Sequence, residues 1–533
     1  MPGNPTTQFF STYGSPEDEF SFPDPGSPEE SGLFNKIQEK FVEQFEKAFP
    51  DKLAPKAVII IPSLTLDQEI LSKVKGVVHY EERLLCMLML LRMPRTLVIY
   101  LSSTTIDPVI VDYYLHLLPG ITGYHAMQRL KLLSCYDASP KSLTEKILER
   151  PRLIERIRES IPAGYAAHMA CFNVTPHERT LAVQLNIPVF GCDPGLLDLG
   201  NKSNSRKIFR ECGIPAPAGF EDLHTIDDIT NALAELKLQD PVLKKAVIKI
   251  NDGFSGEGNA IFSFDGIKEQ DNGKPWIRDG LKNRLKLVAE GLSNEIFLQK
   301  FKEMGGVVEA FVEGELKESP SVQCRIDPDG HCHVASTHDQ LLGGESGQVF
   351  LGAYFPARPA YAVAISRMGK KVGDALQLRG VLGRFSVDFI SVKEQDEWKH
   401  YAIEINLRKG GTTHPLLMLQ FLTDGEYDQE KGLYYTANGL ARYYFSSDNL
   451  QNDKYKGLTP HDLIHIAMMN DLHYDGTHQE GVIFHMIGAL SQFGKLGVLC
   501  IGSSAERAKM YYDKIVSVLD KESRKTAAYK AIK

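Results

Sequence analysis

The spacing of apolar residues predicts a helix near the start of the chain and alternating strands and helices after it. Phe34, Ile37, Phe41 and Phe45 recur at intervals of three and four residues, which is the period of an amphipathic helix. Short apolar runs predict buried strands at 57–61, 96–100 and 188–191, and helical patterns lie at 81–92 and 143–161. Strands that alternate with helices are typical of βαβ units, so we expect an open α/β domain over residues 33–200.

Strand patterns dominate the middle of the chain. A helix is predicted over 203–212, because Gly213 and Pro215 directly after it are common signals for the end of a helix. Alternating or short apolar runs then predict strands at 246–250, 259–264, 307–312, 322–326, 333–338, 387–392 and 401–405. We therefore expect a mixed α+β domain over residues 201–420.

The two ends of the chain differ from these domains. Residues 1–32 are rich in Pro, Gly and Ser and carry six acidic residues without Lys or Arg, which predicts a disordered acidic tail. Residues 421–533 are predicted as a C-terminal α/β region that packs on the middle domain. It is expected to contain helices, one strand at 496–501 and a last helix that begins with a capping box at Ser503.

Composition and charge narrow the class of partner. The chain of 533 residues has a net charge of −8, with 43% hydrophobic and 24% charged residues, as in ordinary globular proteins. No basic cluster is large enough for a nucleic-acid footprint, and the longest apolar run, 84–91, is far shorter than a membrane span. The eight cysteines form no C-x-x-C pair, and the first residues do not have the pattern of a secretion signal. We expect a cytoplasmic protein that binds neither nucleic acid nor membranes.

A glycine-rich loop joins two of the predicted strands. The strand at 246–250 is followed by Asn-Asp-Gly-Phe-Ser-Gly-Glu-Gly at 251–258 and then by the strand at 259–264. Glycines allow backbone N–H groups to approach and bind phosphate oxygens. This loop does not open a helix, as Walker and dinucleotide-binding loops do, and Lys249 lies before it. A flexible hairpin without a function would show the same pattern.

Acidic residues on two neighbouring predicted strands form a candidate metal site. Asp388 lies in one strand, and Glu404 and Asn406 lie on one face of the next. If these strands pair antiparallel, the side chains meet, and their oxygens are the ligands that Mg²⁺ prefers. Arg408 follows on the same face, where a guanidinium could bind a carboxylate or stabilise a transferring phosphoryl group. Solvated acids on a surface strand would give the same alternation.

The order of these residues from Lys202 to Arg408 resembles that of the ATP-grasp superfamily. The resemblance implies an ATP-grasp fold that binds ATP and two Mg²⁺ ions, with Lys202 and Lys249 on the ATP phosphates. The implied metal ligands are Asp388, Glu404 and Asn406. The other implied nucleotide contacts are Gly253, Ser255, Gly256 and Gly258 in a mobile flap, and Glu309, Ala310, Phe311, Val312 and Glu313 at the adenine and ribose.

Further stretches are similar to the pheganomycin-type peptide ligases, which carry an N-terminal pre-ATP-grasp domain. They lie at 61–65, 79–85, 336–340, 409–415 and 481–486. The resemblance implies an ATP-dependent ligase that joins a small carboxylate, such as an amino acid, to the amine of an amino acid or peptide. It also implies a homodimer. The amide would form through an acyl phosphate with release of ADP and phosphate, and Lys249 and Arg408 would neutralise the developing charge.

Other residues near the predicted site have both a functional and a structural interpretation. His338 ends a predicted strand and could contact the substrate or deprotonate the amine, or be a hydrogen-bonded structural histidine. Arg325 could bind a substrate carboxylate, or be solvated or ion-paired. Further candidate substrate contacts are Gln340, Arg408, Gly410 and Gly411. The charged residues at 79–83 and the histidines at 414 and 485 are interpreted as structural.

Two other functions fit the same motifs. A nucleotide-binding regulatory module would keep the ATP-grasp shell without turnover, although binding alone would not require both lysines and the full metal set. An ATP-grasp enzyme of another phosphoryl-transfer chemistry, such as a carboxylase or a phosphotransferase, is the second alternative. A carboxylase would be expected to have a biotin-attachment sequence, and the chain contains no Met-Lys-Met.

Overall fold

The computed structural model describes residues 22–65, 71, 74–252, 258–267, 273–288, 293–343 and 349–531. The first strands are β1 (Lys56–Ile61), β2 (Thr96–Ser102), β3 (Leu130–Ser134) and β4 (Ala166–Cys171). They form a four-stranded parallel sheet in the order β3–β2–β1–β4, as predicted. The central strands β1 and β2 are buried along their whole length, because a parallel sheet is covered on both faces. The segment predicted as a strand at 188–191 contributes only a single bridge, between Val189 and Met169.

Helices surround the four-stranded sheet and complete the N-terminal domain. They are Pro28–Ala48, the 3₁₀ helix Val77–Arg92, Pro108–His116, Gly123–Met127, Leu143–Leu148, Pro151–Glu159 and Pro176–Leu185. The first helix begins at Ser27, whose side chain accepts a hydrogen bond from the Glu30 N–H. Residues 28–32 are therefore helical, which corrects the prediction that they belong to a disordered tail. Residues 1–21 lie outside the described residues.

A second, smaller sheet is entirely antiparallel. Its strands are β5 (Gly219–Leu223), β6 (Lys245–Ile250), β7 (Asn259–Ser263), β8 (Leu285–Leu287) and β9 (Gly306–Ala310). They are ordered β5–β9–β6–β7–β8. One face packs on the helices Ile226–Gln239, Lys274–Asn283 and Asn294–Met304 around a core that contains Ile248 and Phe262. The other face is left free for the cavity described below.

The third sheet has nine strands and runs through the rest of the chain. They are β10 (Leu316–Glu318), β11 (Pro320–Ile326), β12 (Cys332–Gly343), β13 (Val349–Phe355), β14 (Gly383–Glu394), β15 (Glu397–Asn406), β18 (Tyr443–Gln451), β19 (Gly481–His485) and β20 (Lys495–Gly502). The order is β10–β14–β11–β12–β13–β18–β20–β19, with β15 paired to β14. A separate hairpin consists of β16 (Glu426–Asp428) and β17 (Leu433–Tyr435).

The nine-stranded sheet corrects the prediction for the C-terminal region. That region was expected to hold one strand, yet β18, β19 and β20 all lie beyond residue 420 and extend the sheet that begins with β10. Residue 420 therefore does not separate two sheets. The helices that cover this part of the chain are Pro359–Gln377, Thr413–Thr423, Pro460–Met469, Leu490–Phe493 and Ala505–Ala531, with short 3₁₀ helices at Asp453–Tyr455 and Ile487–Ala489.

One apolar core joins the N-terminal domain to the nine-stranded sheet. Leu85 and Leu88 of the 3₁₀ helix Val77–Arg92 belong to the same buried cluster as Leu416 and Leu419 of helix Thr413–Thr423. The helix Thr413–Thr423 starts seven residues after the end of β15, so this core fixes the loop that leaves the candidate site. Among the described helices, we find none with the length and apolar character needed to cross a membrane.

Candidate active site

A cavity of about 450 Å³ lies where the N-terminal domain, the five-stranded sheet and the nine-stranded sheet meet. This volume is typical of small-molecule sites. Strands β6, β7 and β9 form one wall, β14 and β15 form the opposite wall, and the N-terminal domain closes one end. The charged side chains that line it are Arg83, Lys202, Lys249, Glu309, Lys317, Asp388, Glu404 and Arg408.

The three predicted metal ligands meet on the wall formed by β14 and β15. The two strands pair antiparallel, with Asp388 directly opposite Glu404 and Ser386 directly opposite Asn406. The Asn406 Nδ2 donates hydrogen bonds to the Asp388 Oδ2 at 3.2 Å and to the Glu404 Oε1 at 3.3 Å. The register therefore brings together two carboxylates and an amide, as the alternation of the sequence predicts.

The two carboxylates respond differently to this environment. Burial and the negative charge of Glu404 raise the pKa of Asp388 to about 7. Burial also raises the pKa of Glu404, but the positive charges of Lys202 and Lys249 outweigh it and leave that pKa below its usual value. The Lys202 Nζ lies 3.7 Å from the Glu404 Oε2. Near neutral pH the pair therefore holds less than two full negative charges.

The second predicted lysine, Lys249, is fixed by a buried acid. Its Nζ lies 2.6 Å from the Glu309 Oε2, and the Glu309 Oε1 accepts a hydrogen bond of 2.6 Å from the Arg206 Nη1. Burial raises the pKa of Glu309, but the charges of Lys249 and Arg206 outweigh burial and lower it. Glu309 lines the cavity at the predicted adenine hinge, where its nucleotide contact stays a prediction, and its side chain positions Lys249 at the cavity wall.

The rest of the predicted hinge leaves the end of β9 along the cavity. Ala310, Phe311 and Val312 line it together with apolar side chains of the opposite wall. The Lys317 Nζ lies 4.5 Å from the centre of the Phe311 ring, a cation–π contact that fixes this ring. A flat apolar slot of this kind fits a planar base. Glu313 follows the hinge but is not among the residues that line the cavity.

The glycine-rich loop is only partly described. Gly258 directly precedes the return strand β7 and lines the cavity, and the Ile250 N–H donates to its carbonyl oxygen at 2.9 Å. The loop joins β6 to β7, two antiparallel strands, so the predicted strand–loop–strand context is confirmed. The predicted phosphate contacts Gly253, Ser255 and Gly256 lie outside the described residues.

Arg408 and the turn after it form the end of the cavity away from the hinge. Gly410, Gly411 and Thr412 line the same end. Burial lowers the pKa of Arg408 and so does the nearby charge of Arg83, whereas Glu404 and Asp388 oppose this effect. The Arg408 Nη1 donates to the Lys409 carbonyl oxygen at 3.2 Å. The guanidinium is thus held beside strands β14 and β15 and faces the cavity.

Comparison with family models agrees with this geometry. Residues 198–286 and 279–430 match the model described as IQCH-like, ATP-grasp. The chain contains an ATP-grasp domain. It comprises the five-stranded sheet and the part of the nine-stranded sheet that carries Asp388 and Glu404. Residues 462–515 match a second model, the PGM1 C-terminal domain.

Two relatives extend the similarity beyond the ATP-grasp domain. The chain is 27% identical over 466 residues to the L-propargylglycine–L-glutamate ligase of Streptantibioticus cattleyicolor, which covers 85% of this chain and 92% of that protein. It is 25% identical over 418 residues to the IQ motif-containing protein H of Danio rerio, covering 69% of this chain and 39% of that protein. The similarity to the ligase therefore includes most of both chains.

Solved structures show the same fold. A biotin carboxylase from Campylobacter jejuni in complex with β-γ-ATP superposes with a TM-score of 0.50 and 12% identity, over 86% of this chain and 89% of that one. The biotin carboxylase domain of the Hydrogenobacter thermophilus 2-oxoglutarate carboxylase, in complex with MgADP and bicarbonate, gives the same score and identity over 85% and 87%. At this identity the likeness concerns the ATP-grasp fold alone.

The structure does not place His338 in the cavity of the ATP-grasp domain. His338 lies two residues before Gln340 on β12, and its side chain is fully buried beside residues of the neighbouring strands β13 and β18. Its Nε2 is 2.5 Å from the Tyr444 hydroxyl, its ring packs on Phe355, and burial lowers its pKa to about 3. This placement outside the cavity lining favours the structural interpretation of His338 over a catalytic or substrate-binding role. Gln340 does line the cavity and donates to the Asp388 Oδ1 at 3.2 Å.

Arg325 is also absent from the lining of the cavity. Its guanidinium lies 2.7 Å from the Asp327 Oδ1, near the far end of β11. This placement favours the ion-paired alternative over the predicted substrate contact. The physical reason is distance along the strand, because Ser321 of the same strand does reach the cavity.

Sequence reasoning missed the contribution of the N-terminal domain to the site. Leu64, Arg83 and Phe172 line the cavity beside Arg408. Arg83 was interpreted as a structural charge, although it lies within the stretch 79–85 that resembles the peptide ligases. Its position next to Arg408 depends on the packing of two domains and has no signal in the local pattern.

Proposed function

We propose that the chain is an ATP-dependent ligase that joins a carboxylate to an amine through an acyl phosphate and releases ADP and phosphate. The observation that carries the proposal is that Asp388, Glu404 and Asn406 line one cavity together with Lys202 and Lys249, with the Lys202 Nζ 3.7 Å from the Glu404 Oε2. Nucleotide binding alone does not require two crowded carboxylates beside two lysines. Phosphoryl transfer does, because it needs charge neutralised on several phosphate oxygens at once.

The residues on β14 and β15 fit Mg²⁺. Burial raises the pKa of Asp388, and the negative charge of Glu404 raises it further; a divalent cation between the two carboxylates would reduce this repulsion. A half-turn of the Asn406 amide would present its oxygen in place of the nitrogen that now donates to both acids. We propose that these three side chains hold two ions, which supply charge neutralisation at the phosphates when bound.

The remaining charged groups act on the nucleotide and the reacting carboxylate. Lys202 and Lys249 lie on the side of the cavity that continues into the apolar hinge slot, so we assign them to the phosphates and the hinge to the base. Arg408 lies beyond Glu404, where its guanidinium orients the carboxylate that attacks the γ-phosphate. The carboxylate oxygen forms a bond to phosphorus, and the bond from phosphorus to ADP breaks.

The second half of the reaction forms the amide. The amine attacks the acyl carbon, the C–N bond forms, and the C–O bond to phosphate breaks with its electron pair on phosphate. The amine nitrogen loses one proton in this step, and the released phosphate takes it up. Arg408 and the Gly410–Thr412 turn face the reacting carbon and stabilise the negative charge on its oxygen. Walls from three parts of the molecule exclude water that would hydrolyse the acyl phosphate.

We propose that amino acids or short peptides are the substrates. The support is the 27% identity, over most of both chains, to a ligase whose name contains two amino acids. The size of the cavity also favours compact substrates, because the nucleotide must share about 450 Å³ with them. The homodimer stays a prediction from the resemblance, which light scattering on the purified chain would test.

The test uses the purified full-length chain, Mg–ATP and a pool of the L-amino acids with selected dipeptides. Released ADP is measured by a coupled assay, and new amides are detected by mass spectrometry. We expect ADP and one or more amide masses in equal amounts. ADP without an amide would favour another phosphoryl-transfer chemistry, and neither product under any pool would favour the nucleotide-binding module.

A further inference from the structure

Arg83 is the charged group that the N-terminal domain contributes to the cavity. It projects from the 3₁₀ helix Val77–Arg92, and its neighbours in the lining are Leu64 and Phe172 of the same domain. Its side chain is only 13% exposed. It shares the end of the cavity with Arg408 and the Gly410–Thr412 turn, away from the apolar hinge slot. A positive group is thus fixed at the end that the nucleotide does not need.

A buried cluster of polar side chains holds Arg83 in this position. The Asp448 Oδ2 lies 2.8 Å from the Arg83 Nη2. The Asp448 Oδ1 is shared by the His485 Nε2 at 2.7 Å and the His414 Nε2 at 3.1 Å. The guanidinium carbon also lies 4.3 Å from the centre of the Tyr80 ring. The orientation of Arg83 is therefore set before any ligand binds, which reduces the entropy lost on binding.

The spacing of His414, Asp448 and His485 would also suit a metal ion. The guanidinium of Arg83 already occupies the second oxygen of Asp448, and a cation next to a cation is unfavourable. The charges at this site favour a different interpretation, in which the two histidines and the aspartate anchor the arginine.

The charge balance around Arg83 favours an anionic ligand. Arg408 lines the same end of the cavity, so two positive charges from different domains share this end. Asp448, the acid paired with Arg83, is itself shared with two histidines. A carboxylate that enters the cavity beside Arg83 and Arg408 would reduce the repulsion between the two guanidinium groups.

We propose that Arg83 binds the carboxylate of the amine substrate, so that the enzyme selects amines that carry an unreacted carboxylate. This rests on the proposed ligase function. The acyl phosphate must have its phosphate toward Lys249 and Glu404, so the amine approaches the acyl carbon from the opposite side. That side is the wall formed by Leu64, Arg83 and Phe172. The acceptor class is an α-amino acid or a short peptide, in which a carboxylate lies near the amine.

Hydroxylamine provides the acceptor that separates this role from the first half-reaction. It is a small nucleophile without a carboxylate, and it converts an acyl phosphate to a hydroxamate. Each L-amino acid is supplied as the carboxylate donor with Mg–ATP, and hydroxamate and ADP are measured for the wild type. Donors that give hydroxamate are then paired with free L-amino acids and with the same amino acids as C-terminal amides.

The variants are Arg83→Gln and Arg83→Lys, with Arg92→Gln as the matched control. Arg92 lies on the same 3₁₀ helix and pairs with Asp424 across a domain contact, but it does not line the cavity. We expect Arg83→Gln to raise the KM for the free amino-acid acceptor at least about 10-fold while hydroxamate formation stays within about 2-fold of the wild type. Arg83→Lys recovers part of the loss, and Arg92→Gln behaves as the wild type.

The outcomes separate this proposal from the proposed function. A wild type that gives neither hydroxamate nor ADP with any donor would overturn the ligase function itself. Hydroxamate formation that falls in parallel with amide formation in Arg83→Gln would place Arg83 on the donor and overturn the inference alone. C-terminal amides that react as well as the free acids with the wild type would overturn it as well, and this comparison needs no variant to fold.

Discussion

Asp388 and Glu404 are direct cross-strand neighbours, yet their pKa values move in opposite directions. The difference comes from the lysines, since Lys202 and Lys249 act on Glu404 more strongly than on Asp388. Glu404 therefore stays ionised, and Asp388 takes up a proton near neutral pH. Two ionised carboxylates this close would repel each other, and a divalent cation bound between them would reduce that repulsion.

Glu404→Gln should remove ADP release without unfolding the chain. The variant keeps the shape of the side chain but loses the charge that faces Lys202 at 3.7 Å. We expect substrate-dependent ADP release to fall by at least about 100-fold, the usual effect of removing one essential electrostatic contact. The control is Glu397→Gln, at the exposed start of the same strand. Equal activity of the two variants would contradict the metal assignment.

His338 makes the stability of the chain depend on pH. Burial lowers its pKa to about 3, whereas an unfolded histidine has a pKa of about 6.5. Below pH 6.5 the unfolded chain therefore binds a proton that the folded chain does not, so stability is lost as the pH falls. Between pH 7 and 5.5 this amounts to about 1 kcal/mol for the one group.

The variant His338→Gln isolates this contribution. Gln keeps a polar group for the Tyr444 hydroxyl but does not titrate. We expect the free energy of unfolding of the wild type to fall by about 1 kcal/mol more than that of the variant between pH 7 and 5.5. Denaturant unfolding at the two pH values measures it, and parallel curves would show that His338 is not buried as a neutral group.

At the scale of elements, helix Lys202–Glu211 connects the two sheets that enclose the cavity. Its Arg206 reaches Glu309 of β9 and also Glu221 of β5, while its Ser205 hydroxyl accepts a hydrogen bond of 3.1 Å from the Ile405 N–H of β15. The same helix carries Lys202 at its first position. The position of this helix therefore sets the distance between Lys202 and β15, the strand that carries Glu404.

The variant Arg206→Met tests how much the ion pair between Arg206 and Glu309 contributes to stability. Removing the guanidinium leaves Glu309 buried with only Lys249 as its partner, and breaking a buried ion pair costs about 3–5 kcal/mol. We expect a loss of about 3 kcal/mol in stability and a raised KM for ATP. The control Arg210→Met removes another partner of Glu221 from the same helix. Arg210 is 65% exposed, so its loss should cost less than about 1 kcal/mol.

The sequence predicts elements well where the pattern is local. The strands with Asp388 and Glu404, the hairpin after Lys249 and the parallel N-terminal sheet all follow from alternation or short apolar runs. Strand β18 does not, because Ser446, Ser447 and Asp448 interrupt its apolar pattern. These polar residues are buried because distant partners satisfy them. Such partners cannot be inferred from spacing, as the pair of Arg83 with Asp448 shows.

At the scale of the whole molecule, different parts of the active site pack on different apolar cores. The large core contains the 3₁₀ helix Val77–Arg92, helix Thr413–Thr423 and strands of the nine-stranded sheet. A separate core stabilises the five-stranded sheet and its helices. The end of the cavity with Arg83 therefore depends on the large core, and the wall with Lys249 depends on the separate one. The strands β14 and β15, which lead to Arg408, pack in a further core that contains Val387 and Ile405.

Leu416→Ala should weaken the packing of the N-terminal domain next to the Gly410–Thr412 turn. Leu416 is fully buried in the large core, so the change costs about 2–5 kcal/mol. We expect faster hydrogen exchange in 77–92 as well as in 413–423, because both segments pack in one core. Leu236→Ala makes the same truncation in the separate core and should affect only the five-stranded sheet. Faster exchange confined to 413–423 would mean that helix Thr413–Thr423 opens independently of the N-terminal domain.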